Sequence, residues 1–343
     1  MKKTIHKRLL TLTSIILISA ILAGCNSGSG VSSVVHSSED STSASSKVSV
    51  ASGTASTGKP LKIGISLPNM TNVFFLQVRD GMKAALKDSK DEMVVMDSNG
   101  DQNKQMNDVM DMINQGCNVI GLSPINSDGV RATLETCQKA GVPVIAFNVG
   151  VAKSAKSLVA STIVSDNEKS GHLCAQALAK ALGGKGKVAE ITFSTTTTCY
   201  QRQKGFEDEI KANYPNIKIL INKDVEKATS DYSQPIMVDF INAYPDLDGV
   251  FCINDPTARG AIAALKEANK IKSVKVVSVD GSDEGKSFIR AGEMVASAAQ
   301  EPTTIGAKTI ETAYNLLAGK TVEKDVIIPM HIIDSSNVGA ATK

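Results

Sequence analysis

Short apolar runs alternate with amphipathic helical patterns from Leu61 onward, in a unit of about 25 to 30 residues. Near-continuous apolar runs are typical of parallel strands covered on both faces, and their alternation with helices predicts α/β layers with right-handed crossovers. One doubly wound sheet could hold all the runs, but two sheets of five or six strands are more usual in a chain of this length. The ten runs are LKIGIS, MVVMD, CNVIGLS, VPVIAF, LVASTIV, KVAEITF, IKILI, GVFCI, VKVVSV and MVASAA.

The N-terminus has the composition of a processed signal. A cationic start, MKKTIHKR, precedes an apolar run of 15 residues, Leu9 to Ala23. Because a membrane-spanning helix needs about 20 apolar residues, a cleaved signal over residues 1–24 is favoured over a transmembrane helix. The motif LAGC at 22–25 resembles the bacterial lipobox, which implies that Cys25 is lipidated and becomes the first residue of the mature protein. A plain secretory signal is the alternative.

Residues 25–59 are rich in Ser, Gly and Thr and contain no aromatic residue. Such a segment cannot bury enough apolar surface to offset the entropy lost on ordering, so we predict a flexible tether. With a lipid on Cys25, this tether would hold the folded body at the outer face of a cell membrane.

The charge balance argues against a nucleic-acid partner. The whole chain has 37 Lys and Arg against 35 Asp and Glu, for a formal net charge of +2. Residues 1–24 contain four of the basic residues and no acidic residue, so the mature chain has a charge of −2. The sequence also has no basic cluster interleaved with aromatic residues.

The cysteines and histidines form no pattern of a metal or catalytic site. The five cysteines after Cys25 match no zinc spacing, and the four histidines stand in no Ser-His-Asp or Cys-His set. We therefore predict no metal, no cofactor and no enzymatic activity. Apolar surroundings predict small core residues at positions 117, 137, 174 and 252, with a Cys117–Cys137 disulfide as the alternative for one pair.

Polar side chains follow the apolar runs, where open parallel sheets bind their ligands. Asn148 follows VPVIAF, and Asn254 follows GVFCI. Asp280 follows VKVVSV, and Gln300 follows MVASAA. The stretch STTTTCYQRQKGF, which contains Arg202, follows KVAEITF. These amides, carboxylates and one guanidinium predict a polar binding site at the strand ends.

Two helix starts are informative. Phe74 and Phe75 stand side by side, and Phe75, Val78 and Met82 recur at the spacing of a buried helical stripe. Neighbours on a helix point about 100° apart, so this stripe needs only one of the two rings. Either the other ring lines a binding site or both are core residues. In NDPTARG, the sequence predicts a helix with Asp255 as its N-cap.

Taken in order, these residues resemble the periplasmic ribose-binding protein family, the sugar-binding type I solute-binding proteins of ABC transporters. The likeness extends from about Leu61 to Val338 and is carried by NVFF, VIGLSPINSDGV, AGVPVIAF, SDNEKSG, YPDLDGVFCINDPTARGAIAALK, VVSVDGSDEG and AAQEPTTIGAKTIETA. It implies two similar α/β lobes joined by a three-segment hinge, with the ligand between them. The implied limits are 60–164 with 301–329 for the N-terminal lobe, and 165–300 with 330–343 for the C-terminal lobe.

The resemblance also implies which residues bind the ligand. Matched motif by motif, they are Asn72, Phe74, Phe75, Arg202, Asn254, Asp280 and Gln300, and Asn148 occupies a further ligand position. An aromatic ring suits the C–H face of a sugar, whereas the hydroxyl groups need fixed polar partners.

The chain departs from the family at the ligand positions. Ribose binders have Asp-Arg where this chain has Asn148-Val149, which exchanges a carboxylate and a five-donor fork for one amide. Val279 stands where the pattern has an aromatic residue, and a second aromatic position near Thr229 has only Tyr232 nearby. We therefore expect a neutral sugar or sugar alcohol other than ribose.

Three functions compete at this point. The resemblance favours a monomeric, lipid-anchored receptor that delivers sugar to an ABC permease. A ligand-sensing receptor for chemotaxis or a sensor kinase would use the same lobe closure. A secreted carbohydrate enzyme would need a pair of carboxylates placed for acid/base chemistry, and the sequence offers no convincing pair.

Overall fold

The computed structural model describes residues 60–87 and 90–339. The predicted signal peptide, the lipidation of Cys25 and the whole 25–59 tether lie outside these residues and stay predictions, and the end of the chain after residue 339 also lies outside them. In the described part of the chain, no helix combines the length and the apolar character that a membrane crossing requires.

The described strands form two sheets of six. They are β1 (Lys62–Leu67), β2 (Glu92–Asp97), β3 (Val119–Leu122), β4 (Val144–Phe147), β5 (Ser161–Ser165), β6 (Gly186–Thr192), β7 (Ile217–Asp224), β8 (Gly249–Cys252), β9 (Lys275–Asp280), β10 (Ala296–Ala299), β11 (Asp325–Ile328) and β12 (His331–Asp334). The first sheet has the order β11-β5-β4-β3-β1-β2, and the second has the order β12-β10-β9-β8-β6-β7.

Helices cover both faces of each sheet. They are α1 (Val73–Ala84), α2 (Gln102–Asn114), α3 (Arg131–Lys139), α4 (Asn167–Ala181), α5 (Thr197–Asn213), α6 (Ser230–Ala243), α7 (Asp255–Glu267), α8 (Asp283–Arg290) and α9 (Pro302–Leu317), with a 3-10 helix at Lys153–Leu158. We call the first sheet with α1, α2, α3 and α9 lobe 1, and the second sheet with α4 to α8 lobe 2.

The predicted fold class, two doubly wound α/β lobes with a three-segment hinge, is confirmed. All ten apolar runs contain a strand, and the chain passes between the sheets three times: after β5, after β10 and after β11. The lobe limits taken from the resemblance are kept as a proposal for where each lobe begins and ends.

The apolar runs missed two edge strands, β11 and β12, which lie in DVIIPMHIID. β11 pairs parallel with β5, whereas β12 pairs antiparallel with β10. Only four residues long, each is anchored by one neighbouring strand, so neither needs a long apolar run. The expectation of purely parallel pairing was therefore incomplete.

Each sheet has an apolar core on either side. In lobe 1, Phe75 and Val78 pack on one face, and Leu134 packs on the other. In lobe 2, Phe206 and Phe251 stack at 4.6 Å between ring centroids, with an interplanar angle of 12°. All five described cysteines are free, so the alternative of a Cys117–Cys137 disulfide is wrong.

The predicted start of α7 needs a correction of one residue. Asn254, not Asp255, is the N-cap: its side chain accepts from the backbone N–H of Thr257, whose own side chain completes a capping box. Asp255 lies inside the first turn and is fully buried. The sequence offers two cap residues in succession, and only the tertiary contacts of Asp255 decide between them.

Candidate functional site between the two lobes

Arg202 is the centre of the polar groups in lobe 2. It lies in the second turn of α5 and is only 4% exposed. Its Nε donates to Asn167 Oδ1 at 2.9 Å, and its Nη1 donates to the carbonyl oxygen of Ile253 at 3.2 Å. The same Nη1 lies 3.8 Å from Asp280 Oδ1, which makes a buried ion pair. The guanidinium is therefore held from two sides beside a carboxylate.

Gln300 ties this ion pair to the hinge. Its Nε2 donates to Asp280 Oδ1 at 2.8 Å, and its Oε1 accepts from Ser165 Oγ at 2.8 Å. Ser165 ends β5 in lobe 1, and Gln300 follows β10 in lobe 2, so the contact joins two of the three connecting segments. Arg202, Asp280 and Gln300, three of the predicted site residues, are thus brought together at the lobe boundary.

The carboxyl group of Asp280 has unusual electrostatics. Its pKa is raised to about 7, first by burial and then by the negative charge of Asp255, and Arg202 and Gln300 oppose this rise. A ligand that donates a hydroxyl hydrogen to Asp280 would favour the ionised form. This carboxyl group is therefore poised to change charge near neutral pH when its surroundings change.

Asn254 is already occupied by the fold. Its Oδ1 accepts from Thr257 N at 2.9 Å, and its Nδ2 donates to the carbonyl oxygen of Ala228 at 3.2 Å. It lies beside Ile253, whose carbonyl oxygen accepts from Arg202. Asn254 therefore adjoins the Arg202 group, and its amide has a capping role whether or not it also contacts a ligand.

Lobe 1 contributes the start of α1. Asn72 caps this helix through a 3.0 Å bond from the N–H of Phe74. Phe75 is 9% exposed and belongs to the core, whereas Phe74 is half-buried and meets Phe75 edge-on, with ring centroids 5.4 Å apart. One ring therefore fills the stripe, and the other keeps an exposed part. Among the described residues, no hydrogen bond or ion pair joins these three to lobe 2.

Asn148 is the unsatisfied polar group of lobe 1. It is 7% exposed, and its Oδ1 has no hydrogen-bond partner in the described structure. Its backbone has φ 60, in the left-handed region that Asn tolerates better than most residues. Because an unpaired buried acceptor is costly, this oxygen is a strong candidate to accept a hydrogen bond from a ligand. The neighbouring Val149 is buried, and its side chain supplies no hydrogen-bond donor.

Direct hydrogen bonds join the two lobes at the start of α5. Thr198 Oγ1 donates to the carbonyl oxygen of Asn148 at 3.1 Å, and Thr197 N donates to Ser127 Oγ at 2.9 Å. Ser127 Oγ in turn donates to the carbonyl oxygen of Gly150 at 2.6 Å. We call these residues, Ser127, Asn148 and Gly150 of lobe 1 with Thr197 and Thr198 of lobe 2, the latch.

The latch was missed by the analysis of the sequence. The available signal was the run STTTTC after β6, because hydroxyl side chains at a strand end are free to reach across a boundary. Nothing in the sequence, however, shows that Ser127 and Gly150 face this run.

The same architecture occurs in known proteins. A model of the periplasmic binding protein domain matches residues 63–321. The ribose import binding protein of Bacillus subtilis is 29% identical over 280 residues, which cover 80% of this chain and 87% of that protein. The xylitol-binding protein of Mycolicibacterium smegmatis is 28% identical over 293 residues, covering 85% and 82%.

A solved structure extends this likeness to three dimensions. An ABC transporter solute binding protein from Mycobacterium smegmatis with bound glycerol is 33% identical, with a TM-score of 0.76, over 82% of this chain and 96% of that one. The likeness therefore spans both lobes.

Proposed function

Because this chain belongs to the periplasmic binding protein domain family, we propose that it captures a neutral sugar or sugar alcohol between its lobes and delivers it to an ABC permease. Proteins of this family that resemble the chain are substrate-binding subunits, and the chain is not an enzyme. The relatives that bind ribose and xylitol support a small polyhydroxylated ligand.

The observation that carries this proposal is the buried Arg202–Asp280 pair at the lobe boundary. When Asp280 is ionised, its charge balances that of Arg202, so a charged ligand would meet one group of its own sign at short distance. A sugar hydroxyl can donate to the carboxylate and accept from the guanidinium at once. A neutral polyol therefore satisfies this pair better than a carboxylate or an amine does.

Lobe 1 complements these charges without adding any. Asn148 Oδ1 can accept from a further hydroxyl, and the exposed part of Phe74 can cover the C–H face of the ligand. Because Asn148-Val149 supplies no guanidinium, we propose that ribose binds less tightly than another pentose, hexose or polyol.

The proposal is tested by a thermal-shift screen of pentoses, hexoses, polyols and furanoses on the full chain. A ligand at about 100 times its Kd should stabilise the protein by roughly 2.7 kcal/mol. Asp280→Ala should lose this response, while Asp283→Ala, whose side chain is 89% exposed, should keep it. If no compound stabilises the wild type, the neutral-sugar proposal fails. Submicromolar ribose binding by calorimetry would remove only the specificity claim.

We also propose that Cys25 carries the lipid that anchors this protein, as a monomer, to the outer face of the cell membrane. The LAGC motif supports this. Cys25→Ser should release the protein from membranes, whereas Cys199→Ser should not. A Cys25→Ser protein that stays bound at the wild-type level would identify residues 9–23 as the true anchor.

A further inference from the structure

We propose that Asp255 is a positioning residue for the ligand site, because its buried side chain holds the loop that carries Asp280 in the geometry that binding requires. This inference rests on the proposed function. Asp255 is fully buried at the start of α7, and its side chain leaves its own helix to contact the segment after β9.

Three hydrogen bonds converge on the Asp255 carboxyl group. Oδ2 accepts from the N–H of Ser282 at 2.8 Å and from Ser282 Oγ at 2.7 Å. Oδ1 accepts from Ser297 Oγ at 2.8 Å. Ser297 lies between Asp255 and Gly281, because the N–H of Gly281 donates to Ser297 Oγ at 2.9 Å.

Backbone N–H groups fix the direction of these bonds. Gly281 N donates to Ser297 Oγ, and Gly285 N donates to Ser282 Oγ at 3.0 Å. Since an N–H can only donate and an ionised carboxylate can only accept, each hydroxyl group accepts from a backbone N–H and donates its own hydrogen to Asp255. Three backbone N–H groups, two in the loop and one in the first turn of α8, are thus connected to one carboxylate, directly or through a hydroxyl.

The loop needs this support because its backbone is strained. Asp280 has φ 129, a region that residues other than glycine rarely adopt, and Gly281 has φ 64. Such a conformation persists only where the surroundings hold it. A Cβ at Gly285 would lie 2.2 Å from Asp255 Oδ2, so the packing also leaves no room for the carboxylate to shift toward α8.

Asp255 acts on Asp280 through charge as well as geometry. The titratable groups that face this pair are Arg202 and Cys199 on α5, Cys174 on α4 and Cys252 on β8. After burial, the negative charge of Asp255 is the next cause that raises the pKa of Asp280. Burial raises the pKa of Asp255 as well, and the hydrogen bonds from Ser282 and Ser297 oppose that rise and favour its ionised form. Asp255→Asn keeps the shape and removes the charge of that form, so the pKa of Asp280 should fall.

The experiment follows the Asp280 carboxyl carbon by ¹³C NMR in the full chain labelled at aspartate, with the signal assigned by its loss in Asp280→Asn. In the ligand-free wild type, we expect a titration midpoint of about 7. Asp255→Asn should move this midpoint to lower pH, and Asp283→Asn should leave it in place. Asp283 carries the same charge at the exposed start of α8. A residue with only a packing role would not move the midpoint.

The second measurement is affinity for xylitol and D-ribose as probes. Asp255→Ala and Ser297→Ala should each weaken the binding of any probe that the wild type binds, by about tenfold for Asp255→Ala. If Asp255→Ala does not fold, Asp255→Asn and Ser297→Ala decide the matter. An unchanged Asp280 midpoint in Asp255→Asn, or unchanged affinity in Ser297→Ala and Asp255→Ala, overturns the proposal. If the wild type binds neither probe, the proposed function is challenged, while the ligand-free NMR result still decides the role of Asp255.

Discussion

In lobe 1, α1 packs against α9 through Gly81 and Gly306, and in lobe 2, α5 packs against α4 through Gly205 and Gly171. Gly81 and Gly205 both lie nine residues after the N-cap of their helix. A Cβ on either would lie 2.2 or 2.1 Å from a carbonyl oxygen of the opposing helix. The two lobes therefore repeat one close helix contact in the same place.

The lobes differ three residues before this glycine. Val78 and Arg202 occupy the same position relative to the N-cap, and both are buried. In lobe 1 the valine completes an apolar cluster, whereas in lobe 2 the arginine pairs with Asp280 and donates to Asn167. The same close helix contact thus accompanies a core residue in lobe 1 and a charged residue of the candidate site in lobe 2. The difference lies in whether the surroundings supply partners for the charge.

The largest effect is expected for Val78→Arg, which places in lobe 1 the residue that lobe 2 has at the same helix position. The new guanidinium would be buried without a carboxylate, at a cost of several kcal/mol, against a total stability of about 5–15 kcal/mol for a typical domain. We expect a large fall in the urea midpoint of lobe 1. Val73→Arg is the matched control, because Val73 is on the same helix and 59% exposed. Equal midpoints for the two variants would show that position 78 tolerates charge as position 202 does.

The close helix contact that the two lobes share is tested by Gly81→Ala and Gly205→Ala. Alanine in place of glycine would favour a helix by about 1 kcal/mol, but the clash with backbone should outweigh this and destabilise each lobe by about 1–3 kcal/mol. Thermal unfolding measures both variants. Gly129→Ala should be near neutral, since its nearest contact is 3.4 Å away. A stabilised Gly81 or Gly205 variant would contradict the close packing.

Arg202→Val gives lobe 2 the residue of lobe 1. It removes the donor to Asn167 and leaves Asp280 without its counter-charge. We expect affinity for the best ligand of the sugar screen to fall at least tenfold, as measured by titration calorimetry. Because Arg202 lowers the pKa of Asp280, this pKa should rise further in the variant. Arg259→Val, at an exposed arginine of α7, should leave affinity unchanged. Wild-type affinity in Arg202→Val would place the site elsewhere.

The smallest effect is expected at the latch between the lobes. Thr198→Val removes the donor to the Asn148 carbonyl oxygen, which costs roughly 0.5–1.5 kcal/mol in the arrangement of the lobes that has this bond. Affinity should therefore fall about two- to tenfold, with little change in the stability of either lobe. Thr136→Val, which loses only a bond within α3, is the control. If both variants bind alike, the latch does not contribute to closure.

The layers and most strand ends of this fold were predictable from the amino-acid pattern alone. Apolar runs such as VPVIAF are long and branched enough to read as buried strands without any tertiary information. The ends of these runs also predicted Asp280 and Gln300 as site residues, because a polar residue directly after a buried strand must lie at a sheet edge. Arg202 lies further on, in α5, and its role was implied by the resemblance to the family. The same local reasoning failed for β11 and β12. Each of these strands has only four residues and depends on pairing with a strand that is distant in the sequence.

Which polar groups have partners depends on contacts between segments that are distant in the chain. Asn254 and Asp255 are adjacent in the sequence and equally suited to a helix cap. Asn254 caps α7, whereas Asp255 binds a loop 27 residues away. Val78 and Arg202 lie on similar helices, and the contacts of Arg202 come from α4, β9 and the segment after β8. Local patterns record what a residue prefers, whereas the cost of burying a charge or an amide depends on neighbours that are distant in the chain.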